Sequence, residues 1–212
     1  HAPGRKLVRG KIMKVIGITG GVGAGKSTVL HMLKELCRCE IIMADDVAKE
    51  LMNYGQSLCD MAIRLFGTKA YDENKELDRA YIASKIYADE SLRTQWTDVV
   101  HPAVNKHILD KISKAGISGK YDFVFIEAAL LIENGYDNIC DELWYVYASE
   151  DVRRDRLKKS RGYSDARITG IFDSQMKEEE FRKYCDFIID TGISMENTYN
   201  TVKNKLEEYH IV

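Results

Sequence analysis

The sequence predicts an α/β fold, a doubly wound five-stranded parallel sheet covered by helices on both faces, and three observations carry that prediction. Five short runs rich in β-branched and aromatic residues stand along the chain, at 14–19, 40–44, 122–127, 142–148 and 186–189. Each run is near-continuous in apolar character rather than alternating, as strands read when both of their faces are buried. Most are followed by apolar residues at helical spacing, and alternating strands and helices with buried strands build a parallel sheet.

Composition narrows the class. A chain of 212 residues is long enough for one domain with an elaborate insertion. A formal net charge of -2 gives no electrostatic case for nucleic-acid binding. No run reaches the roughly 18 apolar residues that a membrane helix needs, so no membrane association is expected. The five cysteines, Cys37, Cys39, Cys59, Cys140 and Cys185, show no CxxC spacing. They read as reduced thiols of a cytoplasmic protein rather than a disulfide framework or zinc site. Cys37 and Cys39 are separated by a single residue, a poor spacing for a metal clamp. Residues 1–12 precede Met13 without the apolar core of a signal peptide and are read as an expression-tag remnant. That leaves 13–212 as one domain.

The first run, 14–19, leads into "GITGGVGAGKST", residues 17–28. Glycine, four residues, then Gly-Lys-Ser is the spacing of a loop that cradles phosphates. Small residues let backbone N–H groups turn inward where side chains would clash, and the following helix adds the positive end of its dipole. The expected nucleotide contacts are Gly21, Val22, Gly23, Ala24, Gly25, Lys26, Ser27 and Thr28. Lys26 is expected to reach the β- and γ-phosphates and Ser27 to hold Mg²⁺. Val29, Leu33 and Leu36 then line one face of a helix.

The second run ends at Asp45-Asp46. One aspartate is expected to N-cap a helix starting near Val47, and the other is a candidate base for an acceptor hydroxyl. Residues 45–120 carry no strand signal. They show helical patterns instead, Leu58, Met61, Ala62, Leu65 and Phe66, then Val104, Ile108, Leu109 and Ile112. A helical insertion here is expected to wall one side of a ligand cleft at the carboxyl edge of the sheet. Within it, His101-Pro102 reads either as a turn and helix start or as a substrate contact.

The third run ends at Glu127, a charged strand end or a carboxylate that holds Mg²⁺ through water. Glu133 reads as structural or as part of the acceptor pocket. After the fourth run, residues 151–177 are charged and arginine-rich, as a mobile lid would be. Of Arg153, Arg154, Arg156 and Arg161, one or two are expected to close over the transferring phosphoryl group, the others forming a solvated face. After the fifth run, Met195, Tyr199, Val202, Leu206 and Tyr209 mark a final helix. The nucleotide-binding core is thus 13–44, 121–150 and 178–212, with the insertion at 45–120 and the lid at 151–177.

In this order and spacing, the chain from Met13 to Tyr209 resembles the dephospho-CoA kinase family, a family of P-loop kinases. The segments that carry the resemblance are "IGITGGVGAGKSTV", "ADDVAKEL", Phe66-Gly67, Leu77-Asp78-Arg79, His101-Pro102, "LLIEN" from Leu130, and Gln175. The resemblance implies ATP-dependent phosphorylation of the ribose 3′-hydroxyl of dephospho-CoA, with Mg²⁺ as cofactor and ATP and dephospho-CoA as the partners of a monomer or small homo-oligomer. It implies Asp45 as the base, with Asp46 as helix cap, and Lys26 and Ser27 at the phosphates and metal. Asp45, Arg79, His101 and Leu130 fall on the acceptor side, and Arg153, Arg156 and Arg161 on the nucleotide side. The chain departs from the family pattern at Met43, Ala129, Ser160, Gly170 and Asp190. Two other classes share the phosphate loop, a kinase for another nucleoside or nucleotide and a non-enzymatic nucleotide switch. The switch class lacks support from an Asp-x-x-Gly after the third run or an Asn-Lys-x-Asp.

Overall fold

The computed structural model describes residues 7–8 and 11–209. The tag-remnant reading of 1–12 falls largely outside the described residues; within them, β1 (Leu7–Val8) and β2 (Lys11–Ile12) pair antiparallel. The chain divides into two compact units, Met43–Lys111 and the remainder.

The larger unit is built on a five-stranded sheet. Its strands are β3 (Lys14–Thr19), β4 (Cys39–Met43), β5 (Phe123–Glu127), β6 (Glu142–Tyr147) and β7 (Phe187–Asp190), in the order β4-β5-β3-β6-β7. β3 pairs in parallel with β5 and β6, and β6 with β7. The five predicted runs are therefore strands, each displaced by no more than a residue at its ends. All five residues of β5 are buried, which is why the run lacks alternation. Aromatic rings link the strands on one face of the sheet: Phe125 of β5 lies 5.6 Å from Trp144 of β6, across β3, and Trp144 lies 5.3 Å from Phe187 of the neighbouring β7. Contacts of this kind stabilise by about 0.5–1.5 kcal/mol beyond the area they bury.

Helices complete this unit. α1 (Lys26–Leu36) follows β3, buries Val29, Leu30, Met32 and Leu33, and packs beside the last helix, α9 (Met195–Glu207). Between β6 and β7 run α6 (Glu150–Arg161), α7 (Asp165–Ser174) and α8 (Glu178–Tyr184). Ser149 caps α6 through Val152 N–H, and Ser164 caps α7 through Arg167 N–H. Leu157, Ile168 and Phe172 form a small core between the two helices.

The smaller unit is helical, as its patterns predict: α2 (Ala44–Leu51), α3 (Cys59–Phe66), α4 (Arg79–Ala88) and most of α5 (Glu90–Ser118). Its core joins Phe66 edge-on to Trp96, with ring centroids 5.2 Å apart. The Tyr81 hydroxyl donates to the Phe66 carbonyl at 2.9 Å.

Two local expectations are corrected here. Neither Asp45 nor Asp46 caps a helix: α2 starts at Ala44 with Met43 as the cap residue, and both aspartates lie in the first turn. A carboxylate there still gains from the helix dipole, so the same pair suits either position. Pro102 does not start a helix but lies inside α5. The helix starts at Glu90, where the Asp89 carboxylate accepts the Leu92 N–H at 3.1 Å. Proline removes one internal hydrogen bond, which a helix of 29 residues survives.

Candidate functional site

In the larger unit the phosphate loop joins β3 to α1. Gly20 has φ 148°, and a Cβ there would run into the carbonyl oxygen of Val146 on β6, so the close approach of two backbones requires glycine. Gly25, at φ 94° and ψ 25°, is the cap residue of α1 and brings no side chain to its N-terminus. No side-chain oxygen of the cap residue therefore competes with an anion for the first-turn N–H groups of Lys26, Ser27 and Thr28. The Ala24 N–H donates to Gly21 O at 3.1 Å and closes the turn. Lys26 Nζ donates to Gly20 O at 2.7 Å and to Gly21 O at 3.4 Å, so its ammonium lies along the loop. The Ser27 side chain is exposed in the first turn.

Three side chains from distant parts of the chain hold this loop. Gln175 Oε1 accepts the Val22 N–H at 3.2 Å. Arg156 donates to Gly23 O at 3.2 Å, to Ala24 O at 3.3 Å and to Thr191 O at 2.7 Å. Thr191 Oγ1 donates to Ala24 O at 2.5 Å. Arg156 sits at the loop, as a nucleotide-side residue should, yet its guanidinium is engaged by backbone carbonyls and supports the loop from behind. The supporting contacts of Gln175 and Thr191 are absent from the sequence reading, which contains no local signal for them.

The other three arginines of α6 differ from one another. Arg153 stacks 4.1 Å over the Phe172 ring, and its guanidinium lies where a side chain on Gly21 would go. Burial lowers its pKa from the ordinary arginine value, with Tyr145 and Glu150 opposing; a guanidinium keeps its charge there. It lines a cavity of about 250 Å³ with Tyr145, Tyr147, Gln175 and Lys177. Burial, with Glu178 nearby, pushes the Tyr145 phenol up to about 12. Arg154 is engaged by Glu150 at 3.1 Å and Asp165 at 3.3 Å. Arg161 is exposed at the end of α6, its guanidinium 5.8 Å from the Tyr163 ring centre.

Glu127 ends β5, is only 8% exposed, and is in register with Ile18, near the end of β3. Among the described residues no cluster of three His, Cys, Asp or Glu makes a metal site of its own. Leu130 is exposed in the turn after β5, and Glu133 is exposed shortly beyond it.

In the smaller unit Asp45 is exposed in the first turn of α2, and Asp46 pairs with Lys49 at 3.6 Å. Arg79 opens α4 and is exposed; the helix is capped by Asp78, which accepts the Tyr81 N–H at 2.8 Å. His101 is half-buried in α5. Of the four residues expected on the acceptor side, Asp45, Arg79 and His101 belong to this unit and Leu130 to the larger one. Among the described residues no helix is long and apolar enough to cross a membrane.

The family model for dephospho-CoA kinase matches residues 14–197. A dephospho-CoA kinase from Aquifex aeolicus is 36% identical over 197 residues, 92% of this chain and 97% of the relative. One from Oceanobacillus iheyensis is 33% identical over 93% of this chain and 98% of its own length. Among solved structures, a Thermus thermophilus protein superposes with a TM-score of 0.78 at 28% identity, covering 92% of this chain and 97% of that one. A dephospho-CoA kinase from Campylobacter jejuni has the same fold at a TM-score of 0.68 and 21% identity, over 92% of this chain and 96% of that one.

Proposed function

The chain belongs to the dephospho-CoA kinase family, which uses ATP to phosphorylate the ribose 3′-hydroxyl of dephospho-CoA in the last step of coenzyme A biosynthesis, and we propose a division of that work among its residues. The observation that carries it is the glycine-capped N-terminus of α1 with the Lys26 ammonium beside it. Backbone N–H groups there would bind the ATP phosphates, and Lys26 would move from the Gly20 carbonyl to the β- and γ-oxygens. Arg153, desolvated against Gly21, would face the γ-phosphoryl group; a cation in this role is worth about 10³-fold or more. The Ser27 hydroxyl and, through water, Glu127 would hold Mg²⁺, which supplies positive charge at the phosphate oxygens. Asp45 would orient the acceptor hydroxyl and take its proton late in transfer, with Arg79, His101 and Leu130 binding the acceptor.

The test is ADP formation from Mg-ATP with and without dephospho-CoA, with the product weighed by mass spectrometry. Turnover should require dephospho-CoA and yield coenzyme A, one phosphate heavier. Asp45→Asn should lower kcat by about 10²–10⁴, the usual worth of general-base help, with the KM for ATP near wild type. Lys26→Ala should abolish turnover. Full turnover in Asp45→Asn beside an inactive Lys26→Ala would remove Asp45 as the base.

A further inference from the structure

Cys37 and Cys39 lie at the turn from α1 into β4, outside everything assigned to phosphoryl transfer. Cys37 is the residue after α1, with an extended backbone at φ -149° and ψ 163°, and Cys39 opens β4. Both thiols converge on one acceptor, the Leu33 carbonyl, with Cys37 Sγ at 3.3 Å and Cys39 Sγ at 3.7 Å. The Cys37 N–H uses the same oxygen at 3.1 Å. Arg38, between them, is pinned from two sides: its guanidinium forks onto the Asp122 carboxylate at 2.8 and 2.9 Å, and its carbonyl accepts the Asp122 N–H at 2.8 Å. The turn is therefore held in the shape that keeps the sulfurs together.

We propose that Cys37 and Cys39 are a dithiol–disulfide couple, a redox modification site whose co-reactant is a small-molecule disulfide of the glutathione type. The Cys39 sulfur is the attacking group. Its pKa is lowered chiefly by the neighbouring Cys37 thiol, with Lys34 assisting, whereas the same neighbour and burial raise Cys37. The Cys39 thiolate attacks one sulfur of the oxidant, breaking its S–S bond and releasing one thiolate. Cys37 then gives up its proton to solvent, and its sulfur attacks the Cys39 sulfur and expels the second thiolate. Two protein thiols lose two electrons and two protons, and one disulfide is reduced to two thiols. The Leu33 carbonyl loses both S–H donors and keeps the Cys37 N–H.

Trypsin provides the test, because it cuts after Lys34, Arg38 and Lys49 and so separates the two cysteines. The whole folded chain is equilibrated in buffers of rising oxidised-to-reduced glutathione ratio, alkylated and digested. The expected product is peptide 35–38 joined to peptide 39–49 by a disulfide, two hydrogens lighter than the separate thiol peptides, growing with the oxidised fraction and lost on return to reduced glutathione. In Cys37→Ser, whose hydroxyl can still donate to Leu33 O, a glutathione adduct should persist on Cys39. In Cys39→Ser, reaction at Cys37 should slow by tenfold or more. Glutathione left on Cys39 in the wild type without the linked peptides would overturn the proposal. So would a link that forms as fast in urea-unfolded chain, because folding would then contribute nothing.

Discussion

The Val22 N–H donates to Gln175 Oε1, and that hydrogen bond joins the phosphate loop to the end of α7 across 153 positions of sequence. Replacing Gln175 by Leu leaves that N–H without its partner, which costs about 1 kcal/mol, or about fivefold in affinity. The KM for ATP of Gln175→Leu should rise by about that factor while the KM for dephospho-CoA holds; an unchanged ATP KM would make Gln175 a bystander. Gly20 is a harsher case. Gly20→Ala places a Cβ at a positive φ and against the Val146 carbonyl, a backbone atom that cannot swing aside. A loss of about 1–3 kcal/mol from strain of this kind should be seen in urea unfolding, together with weakened ATP binding. The loop and helix start that carry Lys26 and Ser27 were legible in the sequence because their spacing is local. Arg156 shows the limit of such reading. Its residue type suggests a phosphate ligand, yet its bonds go to Gly23, Ala24 and Thr191, contacts between segments that no spacing rule connects.

Between α6 and α7 the connection is electrostatic as well as apolar. Asp165, in the first turn of α7, meets Lys158 at 2.8 Å and Arg154 at 3.3 Å, both from α6. The hydrogen bond from Lys158 does most to hold the Asp165 carboxyl below the ordinary carboxylate range, with Arg154 adding to it. A depressed folded-state pKa means that this contribution is complete above the unfolded-state value and is lost as pH falls through the folded-state value. Asp165 is exposed, so the effect on global stability is small and the carboxyl itself is the place to look. Its carbon-13 titration should show a midpoint below the ordinary range, and Lys158→Met should move that midpoint up; an ordinary midpoint in the wild type would mean that the pair does not persist in solution. Helices were legible as elements and less so at their starts. "ADDV" reads equally well with an aspartate as cap or with both in the first turn, since each arrangement satisfies the same N–H groups and dipole. The placement of Pro102 is also physical, because proline suits a helix start but is tolerated inside a long helix whose other bonds remain.

At the scale of the whole chain, the five strands were readable because burial on both faces leaves an unbroken apolar run. Their spatial order, with β3 between β5 and β6, leaves no such trace, because every strand in a covered parallel sheet has the same composition. The division at Met43–Lys111 separates Asp45, Arg79 and His101, three of the four residues assigned to the acceptor, from those assigned to ATP, and it makes a prediction that does not depend on turnover. Hydrogen exchange with ATP and Mg²⁺ should slow amides of the larger unit, above all in 20–28 and in α6. Dephospho-CoA alone should slow amides within 43–111, in the first turns of α2 and α4 and around His101. In Lys26→Ala the first pattern should vanish and the second survive, since Asp45, Arg79 and His101 are untouched. Protection by dephospho-CoA confined to the larger unit would move the acceptor away from Asp45 and take the proposed base with it, while leaving the phosphate loop as the ATP site.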